Sequence, residues 1–138
     1  MNMNFKRKLP IPMEIKEMYP ISLALEHKKH ARDIALKAVF SGESDKFILV
    51  IGPCSADSED SVLEYATRLA AVQEKVADRL ILVPRVYTNK PRPMGDGDTG
   101  LLHQPDPEKE SDLLKGIIAI REIHMRVLKE TGLATAEE

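Results

Sequence analysis

The chain has 138 residues, enough for one ordinary domain. Its 20 Lys and Arg residues against 22 Asp and Glu residues leave a formal net charge of -2, so no overall positive field would draw it to nucleic acid or an anionic membrane. A single cysteine, Cys54, excludes an internal disulfide and a multi-cysteine zinc site. With no long apolar run and no signal-peptide core, the sequence predicts a cytoplasmic protein.

The first 42 residues are predicted to form an N-terminal arm and a helix. Three prolines among the first twenty residues favour an extended arm over Met1–Pro20. Apolar residues then recur at steps of three and four over Ile21–Phe40, and Gly42 follows as a stop signal. This spacing predicts a helix that leads into the next part of the chain.

Residues 43–138 are predicted to begin an α/β domain. Phe47–Ile51 is a short run that is apolar on both faces, as a buried parallel strand would be, and Gly52 closes it. A second run of the same kind, Leu80–Val83, extends towards Tyr87. Because a helical pattern separates the two runs, this order predicts a right-handed βαβ unit with parallel strands.

Two helices and a long loop complete the predicted elements. Ser61 and Glu64 fit a capping box for a helix that continues to Asp78. A strong apolar stripe that starts at Leu113 predicts the last helix, which Gly132 ends. Between the second strand and this helix, residues 88–107 are rich in proline and glycine and are predicted to be a functional loop.

The predicted elements do not add up to a closed fold. Two parallel strands and three helices leave open strand edges and uncovered apolar faces. The sequence therefore predicts an unfinished α/β sheet.

Cys54 follows the first predicted strand. A lone cysteine can be a nucleophile, a metal ligand or a small buried hydrophobic residue, and the last is the most common. Its position favours a functional role, because α/β folds place their sites at the carboxyl ends of parallel strands. A thiolate there can bind a divalent metal if His or carboxylate ligands join it from other strands. The four histidines show no metal-binding spacing and are predicted to be structural or surface residues.

Three cations lie at the end of the second predicted strand and the start of the long loop: Arg85, Lys90 and Arg92. They could be ordinary solvated surface residues. However, Arg85 lies at the end of an apolar strand, where a charge is costly unless it is paired. Two neighbouring parallel strands would direct Arg85 and Cys54 to the same end of the sheet. A phosphate or carboxylate ligand would suit this group of cations.

Several ordered motifs together resemble the class I 3-deoxy-D-arabino-heptulosonate 7-phosphate (DAHP) synthases. The similarity runs from about Arg32 to the end of the chain. The motifs that carry it are Ile51–Ser55, Glu64–Leu69, Arg85–Tyr87, Lys90–Arg92 and His103–Pro107.

The resemblance implies a fold and an activity. That family is a (β/α)8 TIM barrel with an N-terminal extension, and it condenses phosphoenolpyruvate with erythrose 4-phosphate at the entry to the shikimate pathway of aromatic amino acid biosynthesis. A complete barrel needs roughly 200 to 250 residues, and the resemblance implies that this chain is only about the N-terminal third of such a synthase. Residues 1–42 would be the helical extension, and residues 43–138 would hold the first two parallel strands and their helices. A homo-oligomer is implied for the complete enzyme, with no nucleic-acid or membrane partner.

The resemblance also implies roles for the site residues. Cys54 would be one ligand of a divalent metal ion, Mn²⁺, Fe²⁺ or similar. Arg85 and Lys90 would bind phosphoenolpyruvate, and Arg92 would contact erythrose 4-phosphate. The reaction would be an aldol-type attack of the enol carbon on the aldehyde.

The chain departs from the family pattern in two ways. Pro93 stands where the family usually has Thr, and Asp98 and Thr99 stand where it usually has an aromatic residue and Lys. The family's His, Glu and Asp metal ligands lie on strands that this chain does not reach. The resemblance therefore predicts a synthase whose 138-residue part is inactive alone. The alternative is a noncatalytic fragment that acts only by packing onto a partner chain.

Overall fold

The computed structural model describes residues 8–90, 100–106 and 108–137. In chain order the elements are α1 (Pro12–Met18), α2 (Leu23–Phe40), β1 (Phe47–Ile51), α3 (Glu59–Val76), β2 (Leu80–Pro84) and α4 (Leu113–Thr131). β1 and β2 are parallel, with Phe47 opposite Leu80 and Ile51 opposite Pro84. The predicted βαβ unit is thus confirmed. None of the helices in the described ranges combines the length and apolar character needed to span a bilayer.

The N-terminal arm contains a short helix, α1, so the prediction of an extended arm is wrong for these residues. Pro12 occupies the start of the helix, where its missing N–H removes no helical hydrogen bond. The Glu14 carboxylate accepts a hydrogen bond from the Ile11 N–H at 2.8 Å. Arg121 on α4 donates through Nε and Nη2 to the Tyr19 carbonyl, both at 3.2 Å, which ties the end of α1 to α4.

α3 begins earlier than the sequence pattern predicted. Ser58 is its N-cap, and the Ser58 hydroxyl accepts a hydrogen bond from the Ser61 N–H at 3.3 Å. The predicted capping box at Ser61 and Glu64 is therefore wrong, because Ser61 lies inside the first turn of the helix and its N–H bonds to the Ser58 cap. Glu64 instead forms an ion pair with Arg68 on the helix surface.

α4 confirms the predicted last helix. The Asp112 side chain caps its start by accepting hydrogen bonds from the Leu114 and Lys115 N–H groups at 3.1 and 3.2 Å. Gly132 ends the helix with a φ of 71°, a left-handed conformation that glycine adopts without steric cost. The apolar stripe, the cap and the stop signal agree here, which is why the sequence predicts this helix.

The core lies where α3 packs against β2 and against α4. β2 is largely buried, whereas Phe47 and Val50 of β1 are 74% and 51% exposed. Phe47 and Val50 lie on opposite faces of the strand, because successive side chains of a strand alternate. The prediction that β1 is buried on both faces is therefore wrong, since the described residues leave both faces partly exposed. The buried cluster consists of Ala56, Val62, Leu63, Ala66, Val86, Leu101, Ile123 and Val127.

The edge of β2 that faces away from β1 is occupied by side chains in its first half. Gln73 on α3 accepts a hydrogen bond from the Leu82 N–H at 2.7 Å and donates to the Leu80 carbonyl at 2.9 Å. Arg32 on α2 donates to the Leu82 carbonyl at 2.7 Å, and burial lowers the pKa of this arginine. The Gln73 amide thus bonds to β2 as a peptide group of a neighbouring strand would.

The second half of the same edge pairs with the end of the chain. Ala136 forms a parallel bridge with Arg85: the Ala136 N–H donates to the Pro84 carbonyl at 2.9 Å, and the Val86 N–H donates to the Ala136 carbonyl at 2.8 Å. The sequence predicts no strand after Gly132, because the six residues that follow it are too few to show a periodic pattern. The structure therefore adds a third parallel segment to the predicted pair of strands.

Candidate functional site

The site is built where β1 and β2 end side by side. The Arg85 N–H donates to the Ile51 carbonyl at 2.9 Å, which keeps the two chains paired past the last residues of the strands. A Cβ at Gly52 would lie 2.1 Å from the Arg85 carbonyl oxygen, so only glycine permits this close approach. The loop that carries Cys54 therefore starts directly beside Arg85.

The Arg85 side chain reaches across to the loop after β1. Its Nη2 donates to the Pro53 carbonyl at 2.7 Å, and its guanidinium lies 5.2 Å from the centre of the Tyr87 ring. Both contacts favour a fixed orientation of the charged group, since an aromatic face attracts a cation. Arg85 is half-buried, unlike a mobile surface arginine.

Lys90 and Cys54 are in direct contact. The Lys90 Nζ donates to the Cys54 carbonyl at 3.2 Å and also contacts the Cys54 Sγ. Cys54 is exposed, so its alternative as a small buried hydrophobic residue is wrong. The thiolate is the form of cysteine that binds metals and attacks electrophiles.

The start of the long loop is fixed from several sides. Gly100 has a φ of 88°, and a Cβ there would lie 2.3 Å from the Thr88 carbonyl oxygen. That carbonyl accepts a hydrogen bond from the Leu102 N–H at 3.0 Å. Asn89 and the His103 ring are hydrogen bonded at 2.8 Å. The two ends of the loop, residues 88–89 and 102–103, are thus hydrogen bonded to each other, and Lys90 directly follows the first of them.

Glu137 is the residue that sequence reasoning missed. Its two carboxylate oxygens accept hydrogen bonds from the Thr88 N–H at 2.9 Å and the Thr88 hydroxyl at 3.1 Å. His124 contacts the same carboxylate at 2.9 Å through Nε2, while its Nδ1 lies 2.6 Å from the Thr135 hydroxyl. Burial raises the pKa of Glu137, but the hydrogen bonds from His124 and Thr88 outweigh it, so the pKa lies below its usual value. No local pattern in the sequence indicates this contact.

The predicted site residues fall into two groups. Cys54, Arg85 and Lys90 lie together at the carboxyl ends of β1 and β2. Arg92, and the departures at positions 93, 98 and 99, lie outside the described residues.

A metal ion would need more ligands than this part of the chain supplies. Cys54 offers one sulfur, and no group of three or more His, Cys, Asp or Glu residues with the arrangement of a metal site occurs within the ranges that the structure describes. Catalytic zinc sites, for comparison, take about three protein ligands. The described residues therefore do not by themselves fit a metal centre.

This chain is similar in sequence to a family of known proteins. The model of the DAHP synthetase I family matches residues 16–133. The Trp-sensitive phospho-2-dehydro-3-deoxyheptonate aldolase of Enterobacter agglomerans is 34% identical over 127 residues, which are 92% of this chain and 36% of that protein. The Phe-sensitive enzyme of that name from Escherichia coli (strain K12) is 34% identical over 134 residues, 96% of this chain and 37% of that protein.

A solved structure shows the same fold. Phospho-2-dehydro-3-deoxyheptonate aldolase from Francisella tularensis SCHU S4 superposes with a TM-score of 0.85 at 24% sequence identity, over 99% of this chain and 39% of that chain. The chain thus spans little more than a third of the length of the proteins that it matches. The family match over residues 16–133 and the agreement in fold lead to one conclusion: this chain belongs to the DAHP synthetase I family.

Proposed function

We propose that this chain is the N-terminal part of a 3-deoxy-7-phosphoheptulonate synthase. Together with the remaining strands of a (β/α)8 barrel, it would condense phosphoenolpyruvate with erythrose 4-phosphate at the first step of the shikimate pathway. Residues 1–42 would be the helical extension, and residues 43–138 would be the start of the barrel. The family match and the parallel order of β1 and β2 support this assignment.

The convergence of Arg85 and Lys90 on the loop after β1 is the observation that carries the proposal. Both side chains hydrogen bond to carbonyls of neighbouring residues, Pro53 and Cys54. Phosphoenolpyruvate carries a phosphate and a carboxylate, and two fixed cations can bind such a pair of anionic groups. Arginine offers a planar fork for two oxygens and lysine offers a point charge. We propose the same type of role for Arg92 towards erythrose 4-phosphate.

The proposed chemistry depends on orientation. With its anionic groups held by Arg85 and Lys90, phosphoenolpyruvate would present its enol carbon to the aldehyde of erythrose 4-phosphate, and a carbon–carbon bond would form. Water would then add at the phosphate-bearing carbon, and inorganic phosphate would leave. Holding two reactants in this way converts a bimolecular step into an effectively unimolecular one.

Cys54 is the one residue of this chain that we propose as a ligand of a divalent metal ion. We propose that the Cys54 sulfur is one of its ligands and that the others belong to strands outside residues 43–138. When bound, such an ion would supply Lewis acidity. The complete enzyme is proposed to be a homo-oligomer.

Complementation with the rest of the barrel tests the proposed function. The chain would be coexpressed with the part of the Escherichia coli Phe-sensitive relative that follows its matched region, and the copurified complex would be assayed for phosphate release with Mn²⁺ present. Turnover that needs both polypeptides is the expected result. A copurified, folded complex that stays inactive with either Mn²⁺ or Fe²⁺ would contradict the proposal.

A second candidate function is noncatalytic packing onto a partner chain. The exposed apolar side chains of β1, Phe47 and Val50 among them, favour it. A cleft of about 760 Å³ at the other end of the strands is lined by Phe47, by three cations and by the acidic residues Asp45 and Asp78. Stable, inactive association with an intact synthase subunit, lost in Phe47→Ser and Val50→Ser, would support this function over the enzymatic one.

A further inference from the structure

Thr88 is held by hydrogen bonds at every polar group. The residue is 1% exposed, and it lies in the segment between Arg85 and Lys90. Its N–H and hydroxyl both donate to the Glu137 carboxylate, and its carbonyl accepts from the Leu102 N–H at 3.0 Å. Because each of these groups has a partner, the backbone at Thr88 has little freedom to move.

Lys90 follows Thr88 by only two residues. The backbone that leads to Lys90 therefore starts from a fixed point, and the Asn89 side chain is held as well, by His103. From there the Lys90 Nζ reaches the Cys54 carbonyl and sulfur. The position of the Lys90 ammonium thus depends on how Thr88 is held.

Glu137 belongs to a different part of the fold. It directly follows Ala136, the residue that adds the third parallel segment to β2. His124 on α4 contacts the same carboxylate. The imidazole can satisfy both contacts by donating from Nε2 to Glu137 and accepting a hydrogen bond at Nδ1 from the Thr135 hydroxyl. The carboxylate is therefore oriented from α4 while it holds Thr88 in the segment that follows β2.

We propose that Glu137 is a positioning residue which, through Thr88, holds Lys90 against Cys54. Docking of the third parallel segment then orders the cation site formed by the first two strands. The significance of Lys90 as a substrate-binding group rests on the proposed function. The geometric coupling from Glu137 to Lys90 does not.

The contact can be measured chemically in the chain itself. o-Phthalaldehyde condenses with one primary amine and one thiol to form a fluorescent isoindole, with loss of two water molecules. Since Cys54 is the single thiol of the chain, an intramolecular isoindole reports an amine beside it. Peptide mapping by mass spectrometry should place the adduct at Lys90, and Lys90→Arg should abolish it.

The variants separate a loss of Lys90 positioning from a general destabilisation of the fold. We expect Glu137→Ala and Thr88→Val to slow isoindole formation by about fivefold or more, because the amine is no longer held in place. Thr88→Ser keeps the hydroxyl and should restore the parent rate. Leu25→Ala is the control, because it removes buried contacts at the start of α2, far from Lys90 in sequence. It should leave the rate of isoindole formation within about twofold of the parent. All rates are measured at a temperature where circular dichroism shows every variant folded.

Each outcome decides the proposal. An unchanged rate in Glu137→Ala and Thr88→Val, an equal slowing in Leu25→Ala, or an absence of isoindole in the parent chain would overturn it. Should Glu137→Ala fail to fold, the comparison of Thr88→Val with Thr88→Ser still decides. No turnover is measured, so an inactive complemented enzyme would contradict the proposed function and leave this result intact.

Discussion

The Gln73 side chain accepts a hydrogen bond from the backbone N–H of Leu82 at 2.7 Å, and so a helix residue takes the place of a neighbouring strand. Its amide nitrogen donates to the Leu80 carbonyl at 2.9 Å. Ala136 makes the equivalent pair of bonds further along β2, with the Pro84 carbonyl and the Val86 N–H. One edge of β2 is therefore shared between a side-chain amide and a third parallel segment.

Removing this amide should destabilise the fold. Leu82 is 2% exposed, so Gln73→Ala would leave a buried N–H without its partner and should lower the free energy of unfolding by about 1–3 kcal/mol. Gln73→Glu keeps the acceptor and loses the donor, so we expect an intermediate loss. Urea unfolding measures both, with the exposed neighbour Glu74→Ala as the matched control. An equal loss in the control would contradict the role of Gln73.

The purified 138-residue polypeptide should have no synthase activity on its own. Within the ranges described, no group of three or more His, Cys, Asp or Glu residues could hold a metal ion, and the proposed function assigns only Cys54 to the metal. With Mn²⁺, phosphoenolpyruvate and erythrose 4-phosphate, phosphate release should stay at the rate of a blank without protein. Turnover that comigrates with homogeneous polypeptide in size-exclusion chromatography would require a different account of the site.

Arg85→Ala should strongly lower the activity of the complemented enzyme. Charge-assisted hydrogen bonds contribute about 1.5–3 kcal/mol each, so we expect kcat/KM to fall by about tenfold to more than a hundredfold. Lys129→Ala changes an exposed cation near the end of α4 and is the control, with activity close to that of the parent. Equal effects of the two substitutions would show that Arg85 is an ordinary surface cation.

The two strands should differ in hydrogen exchange. The Phe47 N–H donates to the Arg79 carbonyl, so by the alternation of a parallel ladder the Ile48 and Val50 amides face away from β2. We expect these two amides to exchange fast and the buried β2 to be better protected. The exposed apolar side chains of β1 should also bind a hydrophobic dye.

A partner that supplies the remaining strands tests the origin of this difference. It should slow exchange at Ile48 and Val50 and displace the dye. Strong protection of both amides in a monomeric, cooperatively unfolding chain would show that the 138 residues form a self-sufficient domain.

Glu137 should make stability depend on pH in the acid range. Its pKa is lowered in the folded state, so its contribution is fully present above the unfolded value of about 4.3 and is lost as the pH falls through the folded value. The difference in unfolding free energy between the parent and Glu137→Gln should therefore shrink below about pH 4.3. Urea unfolding from pH 3 to pH 6 measures it. A difference that stays constant across this range would contradict the lowered pKa.

The failed details of the sequence prediction have local causes. Ser58 and Ser61 both match a helix start, and the structure selects Ser58 because its hydroxyl reaches the Ser61 N–H. The prolines of the N-terminal arm favour an extended prediction over α1, although Pro12 is compatible with the first turn of a helix. Such choices differ by small energies, so a pattern of residue types does not resolve them.

The sequence by itself determined the main elements and their order. The apolar runs of β1 and β2, the stripe of α4 and its stop at Gly132 depend on neighbours within one element, and local patterns express them directly. The proximity of Cys54 to the end of β2 also followed, because parallel strands of one βαβ unit end on the same side.

Only the tertiary structure decided which side chains meet across the chain. Lys90 contacts Cys54 across 36 residues, and Glu137 bonds to Thr88 across 49. It also decided that β2 is buried while Phe47 of β1 is exposed, although both runs are equally apolar. Burial and long-range hydrogen bonds depend on what packs beside a segment, and that is a property of the folded chain rather than of any stretch of its residues.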